Sequence, residues 1–401
     1  MLRVAIKQAE PGMKLARPVR HPRNAENVLL QAGYELDAGN LHRLGELGVE
    51  QVWVRYPGLE FIDRRLSARV LERQRALVPH VRKAFAAAQR HALASMDMDA
   101  YTNAVSRLVE EILDHRAASV FMNDLVGAGE PLMNHCLRTS YLSVLLGLKL
   151  DAYLVKQRRR LTPRQARELT NLGLGAMLHD IGLTALPADL LRQARDGEEL
   201  DVPEWRNHAK LGFDMIRDQA EPSARAVVLH HHQHYDGSGF PLLRDNQGEP
   251  FRLEGESIHV FVRIVTVAET FDRLCRGYDD QPKAHPVAVI ARMLQNPMIE
   301  WFDPVVLDAF LETVPPFPPG SLVTLTDGRR AAVAEHNPDD PCRPIVQPVP
   351  DRHDEEPAPG AAETLDLRES PDLAILEADG VNVQDALFNR PDLAPAPAEA
   401  H

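Results

Sequence analysis

The stretch AMLHDIG, residues 176–182, is the most informative part of this 401-residue chain. An apolar helical segment runs directly into adjacent His179 and Asp180, and Gly182 can serve as the helix stop. A buried His-Asp pair costs free energy unless both side chains meet a cation or another partner. Taken alone, such a dipeptide is weak support for a metal site, because most pairs of this kind hold no ion.

A second stretch, VVLHHHQHYDGSGFP at residues 227–241, adds several imidazoles at the end of an apolar helix. Imidazole donors suit first-row transition metals, and a glycine-rich turn lets the backbone come close to a ligand. His231 and His232 are the candidate ligands here, whereas a solvated, His-rich helix end is the alternative. The turn Gly239-Phe240-Pro241 is expected to form a tight loop beside them.

Glu269 stands where an apolar core residue is expected in the helical pattern of residues 258–274. An ionised carboxylate at such a position needs a metal or a base beside it. A pairing with Arg263 or Arg273 is the alternative that the sequence leaves open. His208 and His135 also lie in helical segments, and each alone would suit an ordinary core or surface role.

The flanking segments predict a chain that is mainly α. Residues 1–62 form a small α+β unit, with strands expected at 28–30 and 52–54 and a helix near 41–47. Residues 63–116 are predicted to be a helical connector or the first helices of the all-helical domain that spans 117–315. A short β extension over 316–350 contains a hairpin around Asp327-Gly328. Residues 351–401, rich in Pro, Ala and acid, are predicted to be disordered.

Charge and cysteine content exclude several classes of protein. The net charge is −13, and residues 351–401 alone hold 13 Asp and Glu against three Arg. With no basic block, the chain is a poor candidate for binding a nucleic acid polymer. Three scattered cysteines indicate no disulfide framework, and neither a signal peptide nor an apolar run long enough to span a membrane is present. A cytoplasmic location is the resulting expectation.

The order of these residues resembles the HD superfamily of phosphohydrolases, and within it the HD-GYP group, over roughly residues 117–315. The resemblance rests on the HDIG motif at 179–182 and the run HHxxxDGSGFP at 231–241. It implies a metal-dependent cyclic di-GMP phosphodiesterase that uses two divalent metal ions, usually iron or manganese, and yields pGpG, with GMP from some members. His179 and Asp180 would be catalytic. The implied metal ligands are His135, His179, Asp180, His208, His231, His232 and Glu269.

Several positions depart from the family pattern. Leu183 replaces the lysine of HDIGK, Phe240 replaces the tyrosine of GYP, Gln233 replaces the glutamate after the two histidines, and Glu269 replaces an aspartate. The acids of the turn Asp279-Asp280 would repel an anionic substrate. We expect Gly239, Phe240 and Pro241 to shape the substrate entrance, and Lys210, Arg273 and Arg276 to replace the missing phosphate contacts.

Three functions are compatible with this pattern. The first is active hydrolysis of cyclic di-GMP in bacterial second-messenger signalling. The second is a non-catalytic signalling module that binds a partner protein or the nucleotide, which the loss of the lysine at 183 favours. The third is hydrolysis of another phosphoester.

Overall fold

The structure is a computed structural model. It describes residues 1–22, 24–65, 68–89, 98–114, 131–187, 189–190, 202–276, 284–349, 364–391 and 393. The expected acidic turn at 279–280 and parts of the expected disordered tail, residues 351–363, 392 and 394–401, lie outside this description. Among the described residues, no helix combines the length and the apolar character that crossing a membrane requires.

Three buried helices form the centre of the helical domain: α5 (Pro131–Lys149), α8 (Thr170–Leu178) and α12 (Val260–Arg276). The residues of α8 from Leu172 to Leu178 are all buried, because this helix is apolar on every side. Helix α5 packs against both α8 and α12. The remaining elements of this domain pack around the three: α6 (Asp151–Gln157), α7 (Pro163–Ala166), α9 (Pro203–Arg206), α10 (His208–Ile216), α11 (Pro222–His230), α13 (Pro286–Met293) and α14 (Pro304–Thr313).

The segment expected to be a helical connector belongs to this same domain. After the short α2 (Glu60–Arg65), α3 (Ala68–Gln89) and α4 (Met98–Asp114) pack against each other, and α4 also packs against α8. Apolar residues of both long helices join the same hydrophobic core as α5, α8 and α12. Of the two options left open by the sequence, the hairpin therefore supplies the first helices of the domain.

The N-terminal unit has the α+β character that was predicted. Strand β1 (Leu2–Ala5) pairs antiparallel with β4 (Gln51–Val54), and β2 (Val19–His21) pairs antiparallel with β3 (Asn24–Leu30). Helix α1 (Ala38–Glu46) lies between β3 and β4 in sequence, and the side chain of Asp37 caps its N-terminus. The expected strands and helix are all present, with somewhat wider bounds.

Within the helical span, one expectation is wrong on a small scale. No strand was predicted there, yet β5 (Leu243–Arg244) and β6 (Pro250–Phe251) form a short antiparallel hairpin. Asp245 and Gly248 form its turn, where Gly248 takes a positive φ of 86°. Two-residue strands are too short to produce a visible alternation, which is why the sequence pattern missed them.

The β extension is larger than predicted, and the expectation of disorder across residues 351–401 is wrong for the described part of that segment. Three strands from 365–382 join the two strands of the predicted hairpin and one further strand before residue 350, in a six-stranded antiparallel sheet. Leu367, which follows the first of these strands, and Ile375 and Ala378 of the second are fully buried in the core of this sheet. The sequence analysis missed these strands because the tail as a whole is rich in Pro, Ala and acid. A segment with weak strand propensity can still form a strand when it pairs with neighbouring strands of a sheet. The strands are β7 (Leu322–Leu325), β8 (Arg330–Glu335), β9 (Ile345–Pro348), β10 (Leu365–Asp366), β11 (Ile375–Ala378) and β12 (Val381–Asn382). Their order across the sheet is β10-β9-β8-β7-β11-β12.

The N-terminal unit and the β extension, predicted as separate units, pack on each other. The backbone N–H of Arg3 donates to the carbonyl oxygen of Gly320 at 2.7 Å. Leu322, Ala332 and Val349 of the extension are part of the hydrophobic cluster of the N-terminal unit. The N-terminal unit and the β extension therefore share one hydrophobic core.

Candidate metal centre

The carboxylate of Asp180 lies among four imidazoles at the end of α8. Its Oδ2 atom is 3.4 Å from Nε2 of His179 and 3.7 Å from Nε2 of His135. Its Oδ1 atom is 3.5 Å from Nε2 of His208 and 3.5 Å from Nε2 of His231. The two oxygens of one carboxylate thus face two different sets of nitrogen donors.

These donors form two groups that could each hold a metal ion, one made of His135, His179 and Asp180, the other of Asp180, His208, His231 and His232. Within the groups, Nε2 atoms lie 3.2 Å apart for His135 and His179, and 3.3 Å apart for His208 and His231. Two donors bound to one cation at about 2.1 Å, subtending roughly a right or tetrahedral angle, are about 3.0–3.4 Å apart. Imidazole nitrogens with a carboxylate suit first-row transition metals, so the donor set fits such ions.

The orientation of three imidazoles is fixed by their own backbone. Nδ1 of His179, of His208 and of His231 lies within hydrogen-bonding distance of the carbonyl oxygen three residues earlier, at 2.7, 2.7 and 3.0 Å. Each ring can donate its Nδ1 proton to that carbonyl, which leaves Nε2 as the lone-pair donor. Because all three Nε2 atoms point toward Asp180, the centre is preorganised for metal binding.

Burial keeps most of these donors in the form that metals need. It lowers the pKa of His135 and of His208 to about 4, and it lowers that of His232 well below the usual range. Burial would raise the pKa of Asp180, but the neighbouring His179, whose own pKa the carboxylate raises well above its usual value despite burial, holds the pKa of Asp180 well below its usual range. His179 must therefore lose a proton before its Nε2 can bind a metal ion. His135, His208 and His232 are therefore neutral and Asp180 is ionised at neutral pH.

Gly182 brings the two halves of the centre together by allowing a close backbone approach. A Cβ atom on Gly182 would lie 2.0 Å from the carbonyl oxygen of His208 and 2.6 Å from the backbone nitrogen of Gly212. Gly182 was expected to stop α8, but the chain instead continues into a 3-10 turn, Ile181–Ala185. The glycine is required here because α10, which carries His208, packs directly on this turn.

Phe240 forms a wall of the second donor group. Its ring stacks on the imidazole of His232, with ring centroids 4.4 Å apart, and it is 7% exposed. The backbone N–H of Phe240 donates to the carbonyl oxygen of His232 at 3.0 Å, and a Cβ on Gly239 would lie 2.1 Å from that oxygen. The loop Gly239-Phe240-Pro241 therefore lies against the donors, while its contact with substrate stays a prediction.

Glu269 is buried at 3% exposure but lies outside both donor groups of the described residues. Its Oε1 accepts a hydrogen bond from Nε of Arg273 at 2.7 Å, which is the pairing that the sequence left as an alternative. Burial would raise its pKa, but the guanidinium of Arg273 is the main cause that lowers that pKa to about 2. The carboxylate is thus paired with Arg273, and its role as a metal ligand stays a prediction.

Sequence reasoning missed two residues beside His135. Oδ2 of Asp272 lies 2.7 Å from Nδ1 of His135, and Oδ1 of Asp272 accepts from Nε of Arg138 at 2.5 Å. Asp272 occurs in the same buried helical pattern as Glu269, three residues later, so a second acid on one buried face was the available signal. Both acids point into the domain from α12.

Two of the residues expected to contact phosphate, Lys210 and Arg276, lie in different surroundings. Lys210 is 66% exposed and pairs with Asp214 at 3.3 Å. It follows His208 by two residues on α10, so it leaves the helix about 200° around the axis from that imidazole and faces away from the centre. Lys210 thus lies away from the described donors, and its role in substrate binding stays a prediction. Arg276 lies beside the carboxylate of Asp272, with Nε 3.8 Å from Oδ2.

Comparison with known proteins agrees with this geometry. The family model described as HD domain matches residues 150–306. A curated Pseudomonas aeruginosa protein named cyclic di-GMP phosphodiesterase is 29% identical over 340 residues, covering 77% of this chain and 75% of its own length. A Vibrio cholerae protein named probable cyclic di-GMP phosphodiesterase is 32% identical over 188 residues, covering 44% of this chain and 39% of its own length.

Among solved structures, an HDG"Y"P protein from Bdellovibrio bacteriovorus aligns with 77% of this chain and 97% of that one, at 17% identity and a TM-score of 0.43. The matched family model covers the segment that contains His179, Asp180, His208, His231 and His232. Residues 150–306 thus match the HD domain model, and the chain is similar to these two proteins named cyclic di-GMP phosphodiesterases.

Proposed function

We propose that this chain is a metal-dependent phosphodiesterase that hydrolyses cyclic di-GMP to pGpG, GMP or both, as part of bacterial second-messenger signalling. The observation that carries the proposal is the position of Asp180, whose two carboxylate oxygens face two separate sets of imidazole donors. The substrate comes from the names of the relatives in Pseudomonas aeruginosa and Vibrio cholerae.

The chain would hold two divalent cations, iron or manganese, with Asp180 shared between them. His135 and His179 would complete the first subsite, and His208, His231 and His232 would complete the second. When bound, two such cations lower the pKa of water to supply a nucleophile and stabilise negative charge on phosphate oxygens.

The residues around the donors determine the net charge of the centre and how easily water reaches it. Asp180 supplies one negative charge, and the neighbouring Glu269 is paired with Arg273. The charge of two divalent cations would exceed that of Asp180, so the centre would attract an anionic phosphodiester. Phe240 covers His232 and limits the access of water to the second subsite.

The proposal is tested by nucleotide turnover with protein that is purified anaerobically and loaded with iron or manganese. We expect the wild type to convert cyclic di-GMP to the linear dinucleotide, and the double variant His179→Ala with Asp180→Ala to lose both bound metal and turnover. His42→Ala is the matched control, because this histidine is 79% exposed on α1.

Two results would count against the proposal. If the metal-loaded wild type is inert toward cyclic di-GMP, the chain is not this enzyme, and binding of a signalling partner or of the intact nucleotide becomes the better reading. If a panel of phosphoesters at equal metal loading shows faster hydrolysis of a different ester, the chain is a phosphohydrolase but cyclic di-GMP is not its preferred substrate.

A further inference from the structure

We propose that Asp272, held by Arg138, is the positioning residue that orients His135, so that filling of the first metal subsite depends on it while the second subsite does not. The inference rests on the proposed two-cation centre. It assigns a role to two residues that neither the family pattern nor the donor groups include.

His135 differs from the other anchored imidazoles in its place on a helix. His179, His208 and His231 lie at helix ends or boundaries, where the carbonyl three residues earlier can accept from a side chain. His135 is the fifth residue of α5, inside a continuous helix whose carbonyls accept from backbone N–H groups. Its Nδ1 therefore needs a partner from outside α5.

Asp272 supplies that partner from α12, 137 positions further along the chain, at 2.7 Å. Both residues are buried, with His135 at 0% and Asp272 at 3% exposure. A carboxylate that accepts the Nδ1 proton leaves Nε2 unprotonated and directed toward Asp180 and His179. Without it, neither the ring angle nor the tautomer of His135 is fixed.

Arg138 fixes the carboxylate in turn. Its Nε donates to Oδ1 of Asp272 at 2.5 Å and its Nη2 donates to Oδ2 at 3.3 Å. Arg138 follows His135 by three residues on α5, so the guanidinium and the imidazole share one face of the helix. A charged, two-point contact of this kind sets the plane of the carboxylate.

The two subsites therefore differ in what holds them. A backbone carbonyl that holds a ring cannot be removed by a side-chain substitution, and His208 and His231 in the second subsite both rely on one. In the first subsite His179 also relies on a backbone carbonyl, but His135 relies on a side chain that can be removed. Loss of a carboxylate behind a ligating histidine typically weakens metal binding about 10- to 100-fold.

The test measures bound metal in the full chain after anaerobic loading with manganese, by elemental analysis and by titration. We expect two equivalents in the wild type. Asp272→Ala should retain one tight equivalent and weaken the other about 10- to 100-fold. In the background of His135→Ala, adding Asp272→Ala should cause no further loss, because both changes act on the same subsite.

Asp303→Ala is the matched control, since Asp303 is also a buried carboxylate paired with an arginine, Arg263, and lies outside the donor groups. It should lower the thermal midpoint and keep two equivalents. Asp272→Asn should restore much of the weakened site, because its amide oxygen can still accept the Nδ1 proton. If Asp272→Ala does not fold, Asp272→Leu, which keeps the volume, is measured in its place.

Unchanged affinity at both subsites in folded Asp272→Ala or Asp272→Leu overturns the inference. Equal weakening of both equivalents overturns it as well, because the role would then be general to the domain. A wild type that binds no metal is a different result: it removes the proposed function, whereas the two outcomes above leave that function intact.

Discussion

Arg3 in the first strand and Asp379 in the turn between the last two strands form a buried ion pair at 2.8 Å, although 376 positions separate them. Gln51 of β4 also donates to the same carboxylate at 3.2 Å. The pair thus joins the N-terminal unit to the strands at 365–382, in the segment that the sequence predicted to be disordered.

Removing one partner of this pair should destabilise the protein. Arg3→Ala leaves the carboxylate of Asp379 buried without its main counter-charge, and such a break typically costs about 3–5 kcal/mol. The free energy of unfolding from chemical denaturation measures the loss. Arg329→Ala, which breaks an exposed pair with Asp327, should change stability by less than about 1 kcal/mol. Equal effects of the two substitutions would contradict this reading.

Gly182→Ala should disrupt the centre more than an ordinary Gly-to-Ala change. The added Cβ would lie 2.0 Å from the carbonyl oxygen of His208, so α10 would have to move away from the 3-10 turn. We expect bound metal to fall well below the wild-type content, with a lower thermal midpoint. The control is Gly45→Ala in α1, where nothing lies within 4 Å of the new Cβ and stability should hold or rise slightly. Wild-type metal content in Gly182→Ala would show that the close approach is not required.

The stability of the chain should fall with acid partly through His259. Burial, with Arg158 and Arg263 nearby, lowers the pKa of His259 to about 4. Below its ordinary value of 6.5 the unfolded chain takes up a proton that the folded chain does not, so this group opposes folding increasingly as pH falls from 6.5 to 4. For one titrating group, the free energy of unfolding cannot change by more than about 1.4 kcal/mol per pH unit.

His259→Asn isolates this contribution. The imidazole Nδ1 accepts the backbone N–H of Phe261 at 3.1 Å, and an asparagine can accept the same proton without titrating. Denaturation of metal-free protein at several values between pH 7 and pH 4 should show a shallower loss of stability for the variant. Parallel curves for the two proteins would rule out the assignment.

Leu183→Lys should raise turnover of the proposed substrate. Leu183 replaces the lysine of the family's HDIGK wording and is half-buried in the 3-10 turn that follows Asp180. A charged hydrogen bond to phosphate is worth about 1.5–3 kcal/mol, which corresponds to roughly a tenfold or greater gain in kcat/KM. Leu161→Lys, at a leucine that is 40% exposed, serves as the control and should leave kcat/KM unchanged. A gain in both variants would indicate a nonspecific effect of charge.

Much of the centre could be anticipated from residues that are adjacent in the chain. His179 with Asp180, and His231 with His232, are neighbours at helix ends, and the resemblance of their wording to one family brought in His208 and His135. The sequence analysis left open whether Glu269 binds a metal or pairs with Arg263 or Arg273, although helical spacing favours Arg273, four residues later, over Arg263, six residues earlier. The structure selects Arg273, one helical turn further along the same face.

The helical class, the residue types of the candidate metal donors and their order along the chain follow from local patterns, because periodicity and sequence motifs act over a few residues. The division of the donors between the two oxygens of Asp180, the support of His135 by Asp272, and the strands at 365–382 do not. Each depends on contacts between segments far apart in sequence, set by how helices cross and strands pair, and no local signal encodes that arrangement.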